Sequence, residues 1–224
     1  MPNPRIAILF DIDGTLINSG GAGAASWRMA FDELHGIPAD IGEFTDTGMT
    51  DPDVGRRTFE AVMHRAPEPR EFARLLERRL HHLRVAVEQS DGYRILPGAE
   101  ALLDRLIDEG YLLGLVTGNV EASAHIKLHR AQLNRFFSFG GYGSDSNDRG
   151  ELTRVALRRA GLIYGEPVTQ DQALVVGDTP NDVRGAHAAG IECVGVGSHK
   201  YTAEQLREAG ADYTITSLTE GLPL

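Results

Sequence analysis

From about residue 97 onward, short apolar runs of strand-forming residues alternate with segments whose apolar residues recur at helical spacing. "YLLGLV" (111–116), "ALVV" (173–176), "ECVGV" (192–196) and "YTIT" (213–216) read as strands, with a weaker candidate at "FFSF" (136–139). Between them "GAEALLDRLIDEG", "EASAHIKLHRAQL", "ELTRVALRRAGL", "NDVRGAHAAG" and "TAEQLREAG" read as helices, several closed by a glycine, as helix ends often are. This alternation is the signature of a parallel sheet wrapped by helices. The expected fold class is α/β, with a Rossmann-like parallel sheet as its core.

The apolar run "RIAILF" (5–10) adds a strand near the start of the chain, but residues 17 to about 94 break the rhythm. "GAGAASWRMAFDELHG", "DPDVGRRTFEAVMH" and "EPREFARLLERRLHHLRVAVEQ" read as successive helices with no strong strand between them. Pro97-Gly98 marks the return to alternation. The expectation is an all-helical cap over 17–94, inserted into a core built from 1–16 and 95–224. With 224 residues, 42% of them hydrophobic, the chain can bury one full core and a smaller second one. Gly20, Gly21 and Gly23 are candidate hinge glycines, with close helix packing as the alternative.

A formal charge of −10 argues against nucleic acid and anionic membranes as partners. No apolar run approaches the ~18 residues of a membrane span, so a soluble cytoplasmic protein is expected. Cys193 is the single cysteine, which excludes an internal disulfide and any multi-cysteine metal site; its apolar run "IECVGV" reads as a buried structural thiol.

In open parallel α/β sheets, ligands gather beyond the carboxyl ends of the strands. Three strands end there in polar residues: Asp11-Ile12-Asp13-Gly14-Thr15, Thr117-Gly118-Asn119, and Gly177-Asp178-Thr179-Pro180-Asn181-Asp182. Up to four carboxylates would share one crevice and repel one another unless a cation sits among them. The hard oxygen ligands, with no His or Cys in these motifs, favour Mg²⁺. Taken singly, Asp11 and Asp13 could be turn residues and Asp178 a helix cap; the joint pattern favours a site.

The order DxDGT, Thr, a later basic residue and GDxxxD resembles the haloacid dehalogenase-like hydrolase superfamily over essentially the whole chain. The helical insert looks like the cap of its phosphoglycolate phosphatase and β-phosphoglucomutase branch. The resemblance implies hydrolysis of a small phosphorylated metabolite with Mg²⁺. Asp11 would be the nucleophile that becomes an aspartyl-phosphate, and Asp13 the acid and then the base, so these two carboxylates need unlike protonation states at the start. Asp11, the backbone carbonyl of Asp13 and Asp178 would hold the metal. Thr117 would bind a phosphate oxygen, helped by N–H groups at Gly118 and Asn119, while Asp182 and Asn181 would orient metal-bound water. Many relatives carry a Lys-Pro pair where this chain has Asp148-Arg149-Gly150, so Arg149 is preferred by position as the phosphate clamp and Lys127 is its rival.

Rival chemistries are a phosphomutase, a haloacid dehalogenase, a phosphonate-cleaving enzyme and a non-catalytic binding module. Asp13 argues against dehalogenation and against a binding module, and the lack of lysine in 17–94 argues against a Schiff-base phosphonate enzyme. In the cap, Thr50 and Asp51 of "GMTDPD" (48–53) are candidates for substrate selection. Arg70, Arg74, Arg78, Arg79 and Arg84 read as a solvated helix face. Adjacent His81 and His82 cannot share a helix face, and His125 and His129, although four apart, lack a third ligand.

Overall fold

The structure, a computed structural model, describes residues 4–46, 48–198 and 200–224. Six strands form one parallel sheet: β1 (Ala7–Phe10), β4 (Leu112–Thr117), β5 (Phe139–Tyr142), β6 (Ala173–Gly177), β7 (Glu192–Val196) and β8 (Tyr213–Ile215). Their spatial order is β5-β4-β1-β6-β7-β8. The fold class is therefore α/β, as the alternation predicts.

Strand period decides which core each side chain enters. In β1, Ile8 and Phe10 join one apolar cluster with Leu102, Leu103 and Leu106 of helix α4 (Ala99–Asp108) and with Ala124 and Leu128 of α5 (Glu121–His129). Ala7 and Leu9 face the other way, toward Leu152 and Ala156 of α6 (Arg149–Tyr164), Val183 of α7 (Pro180–Ala188) and Leu206 of α8 (Ala203–Glu208). Both sheet faces are covered, which is why the strands read as continuous apolar runs rather than alternating ones. Cys193 is buried within the second cluster, and burial pushes its thiol pKa up to about 12.

Between residues 20 and 92 lie α1 (Ala22–His35), α2 (Asp51–Met63) and α3 (Pro69–Gln89), packed around Trp27, Phe31, Phe59 and Leu75. Two short strands were not expected. β2 (Ile17–Ser19) and β3 (Tyr93–Ile95) pair antiparallel, so the chain leaves the sheet domain and returns to it through one two-stranded ribbon. Three-residue strands carry almost no sequence period. Gly20, in the left-handed region at φ 61°, lies in close approach to Gly92 across this ribbon; a Cβ there would stand 2.5 Å from the Gly92 carbonyl carbon.

The strand expected at 136–139 is displaced. Residues 133–136 form a short 3₁₀ helix, and β5 begins only at Phe139. Phe136 and Phe137 instead plug the core, the latter edge-on to Phe10 at 6.3 Å between ring centroids. The strand itself, "FGGY", contains two glycines with different causes: a Cβ on Gly141 would collide with the Leu152 carbonyl of α6, and one on Gly140 would stand 2.7 Å from the Tyr142 ring.

Candidate active site

β1 lies between β4 and β6, so the residues that follow these three strands emerge side by side at the carboxyl edge. They line one crevice of about 510 Å³ between sheet domain and cap, which includes Asp11, Asp13, Thr117, Asn119, Asp178 and Lys127. The Asp11 N–H continues the ladder to Val176 O at 2.9 Å, which fixes its carboxylate just past the strand end. Gly14 then turns at φ 89°, and a Cβ there would stand 2.6 Å from Asp178 Cγ. Only glycine lets the first loop lie against that carboxylate.

Asp11, Asp178 and Asp182 are all buried, and a carboxylate oxygen from each lies within 4.8 Å of the others. Burial, reinforced by Asp11, pushes the Asp178 pKa up to about 7. Burial likewise raises that of Asp11, against the pull of Arg149. Two buried carboxylates with raised proton affinity, offering only oxygen, fit a hard divalent cation. Asp182 differs from them. Its Oδ2 accepts from the Thr179 N–H at 3.0 Å and hydroxyl at 2.7 Å, closing a capping box at the start of α7, and its Oδ1 pairs with Arg149. Its carboxylate is thus already committed to the Thr179 cap and Arg149. Asn181 accepts from Arg184 and packs on Gly48 of the cap.

Both rival cations reach the crevice. Arg149 Nη2 lies 3.8 Å from Asp11 Oδ1. Lys127, on the second turn of α5, is buried rather than snorkelling to the surface; its Nζ meets Asp13 Oδ2 at 2.6 Å. Asn119 Nδ2 donates to the same oxygen at 2.9 Å and to Thr117 Oγ1 at 2.8 Å, while the Thr117 hydroxyl bonds Asp11. Burial works against ionised Asp13, but Lys127 and Asn119 outweigh it and hold the carboxyl below its ordinary range. The two aspartates therefore sit in unlike surroundings: burial raises the proton affinity of Asp11, while Lys127 and Asn119 lower that of Asp13. On the Asp13 side the cause is the placement of Lys127, the rival clamp, against its carboxylate.

The cap contributes Thr50 and Asp51. Thr50 caps α2 through Asp53 N–H and donates to Asn147 Oδ1 at 3.2 Å. Asp51 borders the crevice, but its carboxylate is taken by Arg79, with both guanidinium bonds at 3.0 Å. Arg79 is 1% exposed, which corrects the expectation that it sits on a solvated face. Its position was readable: the buried side of α3 runs Phe72, Leu75, Arg79, Leu83, Val87, so Arg79 occupies a place in the apolar stripe. Two of the histidines singled out above have hydrogen-bond partners of their own. His82 pairs with Glu33, and His125 with Asn134. Among the described residues, no helix is long and apolar enough to cross a membrane.

Known proteins share this sequence and architecture. The profile of the haloacid dehalogenase-like hydrolases matches residues 7–190. A phosphoglycolate phosphatase of Rhodospirillum rubrum is 33% identical over 213 residues, covering 92% of this chain and 84% of its own. One from Cereibacter sphaeroides is 31% identical over 186 residues, covering 82% and 81%. Among solved structures, CbbY of Rhodobacter sphaeroides in complex with phosphate superposes with a TM-score of 0.74 at 19% identity, covering 96% of each chain. A β-phosphoglucomutase of Clostridium difficile gives 0.74 at 18% identity, covering 99% and 94%. At these identities the structural likeness speaks for the fold, and the profile speaks for the family. The chain belongs to the haloacid dehalogenase-like hydrolases and is a hydrolytic enzyme of that family.

Proposed function

We propose that the chain is a Mg²⁺-dependent phosphatase that hydrolyses a small phosphate monoester through an aspartyl-phosphate on Asp11. The observation that carries this reading is the convergence of Asp11, Asp13, Thr117 and Asp178 in one crevice that also receives Lys127 and Arg149. Asp11 attacks phosphorus, the bond from phosphorus to the ester oxygen breaks, and the departing oxygen takes a proton from Asp13. Water then attacks the aspartyl-phosphate and gives its proton to Asp13, which restores Asp11 and releases inorganic phosphate.

Asp13 is ionised in its contact with Lys127 and Asn119, the state required of the base in the second half. A phosphate dianion arriving beside it raises its proton affinity, and Asp13 takes up one proton from solvent to give the acid form needed in the first half. Arg149, 3.8 Å from Asp11, and Thr117 hold the nucleophile and the incoming phosphoryl oxygens in register. Asp11, Asp178 and the backbone carbonyl of Asp13 would hold Mg²⁺, which when bound supplies positive charge between nucleophile and phosphate. Asp51 of the cap loop lines the crevice, and closure of the cap over it would exclude water.

Release of nitrophenol from its phosphate ester, with Mg²⁺ and with chelator, tests this. Native protein should turn over only with the metal, and Asp11→Asn should be inactive. Metal-independent release, or undiminished release by Asp11→Asn, overturns the reading. Phosphoglycolate, the substrate named for the relatives, heads the panel of phosphorylated metabolites to be ranked by kcat/KM.

A further inference from the structure

We infer that Asp51 and Arg79, both in the cap, are positioning residues that hold the loop 117–120 in its catalytic shape; this rests on the phosphatase reading above. Asp51 grips that loop at two points. Its backbone N–H donates to Gly118 O at 2.7 Å, and its Oδ2 accepts from the Val120 N–H at 3.0 Å. Asn119 is therefore pinned on both sides by one cap residue. From there its side-chain amide reaches Asp13 Oδ2 and Thr117 Oγ1, the groups assigned to proton transfer and phosphate binding.

Arg79 holds Asp51 in place. Its guanidinium is bidentate on the Asp51 carboxylate, bonds Ser123 on the core helix α5, and lies 5.1 Å over the Trp27 ring. The buried Arg79 Nε has no hydrogen-bond partner, so the arginine keeps this geometry at the cost of one unsatisfied donor. An arginine on the apolar stripe of a helix would be replaced by a leucine or methionine at no loss if packing were its task, since buried ion pairs add little net stability. The close fit supports a specific contact: a Cβ on Gly118 would stand 2.6 Å from the Met49 carbonyl oxygen of the cap loop. The phosphate-binding loop takes its shape from cap residues, so it is complete only while the cap is seated on it.

Three variants test the link: Asp51→Ala, Arg79→Met and the double, with Arg78→Ala as control, because Arg78 lies on the same helix as Arg79 but pairs near the surface with Glu33 of α1. The expected result is a fall in kcat for p-nitrophenyl phosphate of about tenfold or more in each single variant, a loss typical of small misplacements of catalytic groups. The double should fall no further, since both residues act through one contact, and its Tm should recover relative to Arg79→Met because no unpaired buried carboxylate remains. Arg79→Lys, which keeps the charge, should recover part of the lost kcat, and Arg78→Ala should match the native enzyme.

Amide hydrogen exchange at Val120 gives a readout independent of turnover and should be about tenfold faster in Asp51→Ala. Folded single variants with kcat within twofold of native, or losses that add in the double, overturn the inference. If the native enzyme shows no metal-dependent turnover, the phosphatase reading fails first; unchanged Val120 exchange would then overturn the positioning role by itself.

Discussion

Replacing Asp178 by Asn should make the metal-free protein more stable while destroying its activity. Asp178 is 2% exposed, and burial together with the neighbouring Asp11 moves its pKa from 3.8 up to about 7. A carboxyl whose folded pKa lies above its unfolded value binds its proton more tightly when folded. Its contribution to stability is present below about pH 4 and is lost as pH rises toward 7. At about 1.4 kcal/mol per pH decade, the full displacement corresponds to about 4 kcal/mol. Asn keeps the shape and can still accept from the Thr15 hydroxyl, 3.5 Å away, but carries no charge.

Thermal melting in chelator at pH 7.5 should therefore place Asp178→Asn above the native protein by about 2–4 kcal/mol, or roughly 5–10 °C for a chain of this size. The gap should shrink toward pH 4.5, where the native carboxyl is protonated. Mg²⁺ should raise the native Tm, because it binds the ionised carboxylates, and leave the variant almost unmoved. A variant that melts at or below the native protein in chelator at pH 7.5, or that gains as much from Mg²⁺, would refute the idea that charge is stored at this site for the metal.

Other consequences can be checked with the same material. Lys127→Ala removes the cation held against Asp13, so the pKa of Asp13 should rise and kcat should fall about 100-fold; Arg149→Ala frees both Asp11 and Asp182 and should fall at least as far. Steady-state kinetics on the two variants decides whether one clamp or both are needed. Gly118→Ala would push a methyl group against the Met49 carbonyl and should cost about 1–3 kcal/mol in Tm analysis together with a loss of kcat. At Asp212, burial opposes ionisation, but hydrogen bonds from His187 and the Cys193 N–H outweigh it and lower the pKa. That contribution is present above the ordinary carboxylate range and lost as pH falls through the lowered value. Asp212→Asn should cost about 0.5–1 kcal/mol at pH 6, a figure discounted for solvent screening, and the difference should vanish toward pH 3 in paired melting curves.

The sheet was legible because its strands are buried on both faces and so announce themselves as apolar runs, and the three polar strand ends were legible because β1 stands between their carriers. Features built from few residues were not. The ribbon of Ile17–Ser19 with Tyr93–Ile95 is too short to show a period, and β5 hides behind two glycines, one demanded by the approach of α6 and one by the Tyr142 ring. Lys127, offered only as the rival clamp, and Arg79, read as solvated, were underrated for a common reason. A long cationic side chain on a helix is ordinarily solvated, and only its buried partner, Asp13 for one and Asp51 for the other, reverses that expectation. In α3 the period of Phe72, Leu75, Leu83 and Val87 did point at position 79. For Lys127, no comparable signal exists in α5, where both its partner and the Tyr93 hydroxyl that bonds its carbonyl at 2.7 Å come from distant chain segments.

Acid quench of the enzyme during turnover, followed by mass spectrometry of the peptide that contains Asp11, tests the central claim most directly. The account predicts one phosphoryl group on that peptide, present only with Mg²⁺ and absent from Asp11→Asn. Full turnover with no covalent phosphate on Asp11, or with the phosphate on another residue, would contradict it.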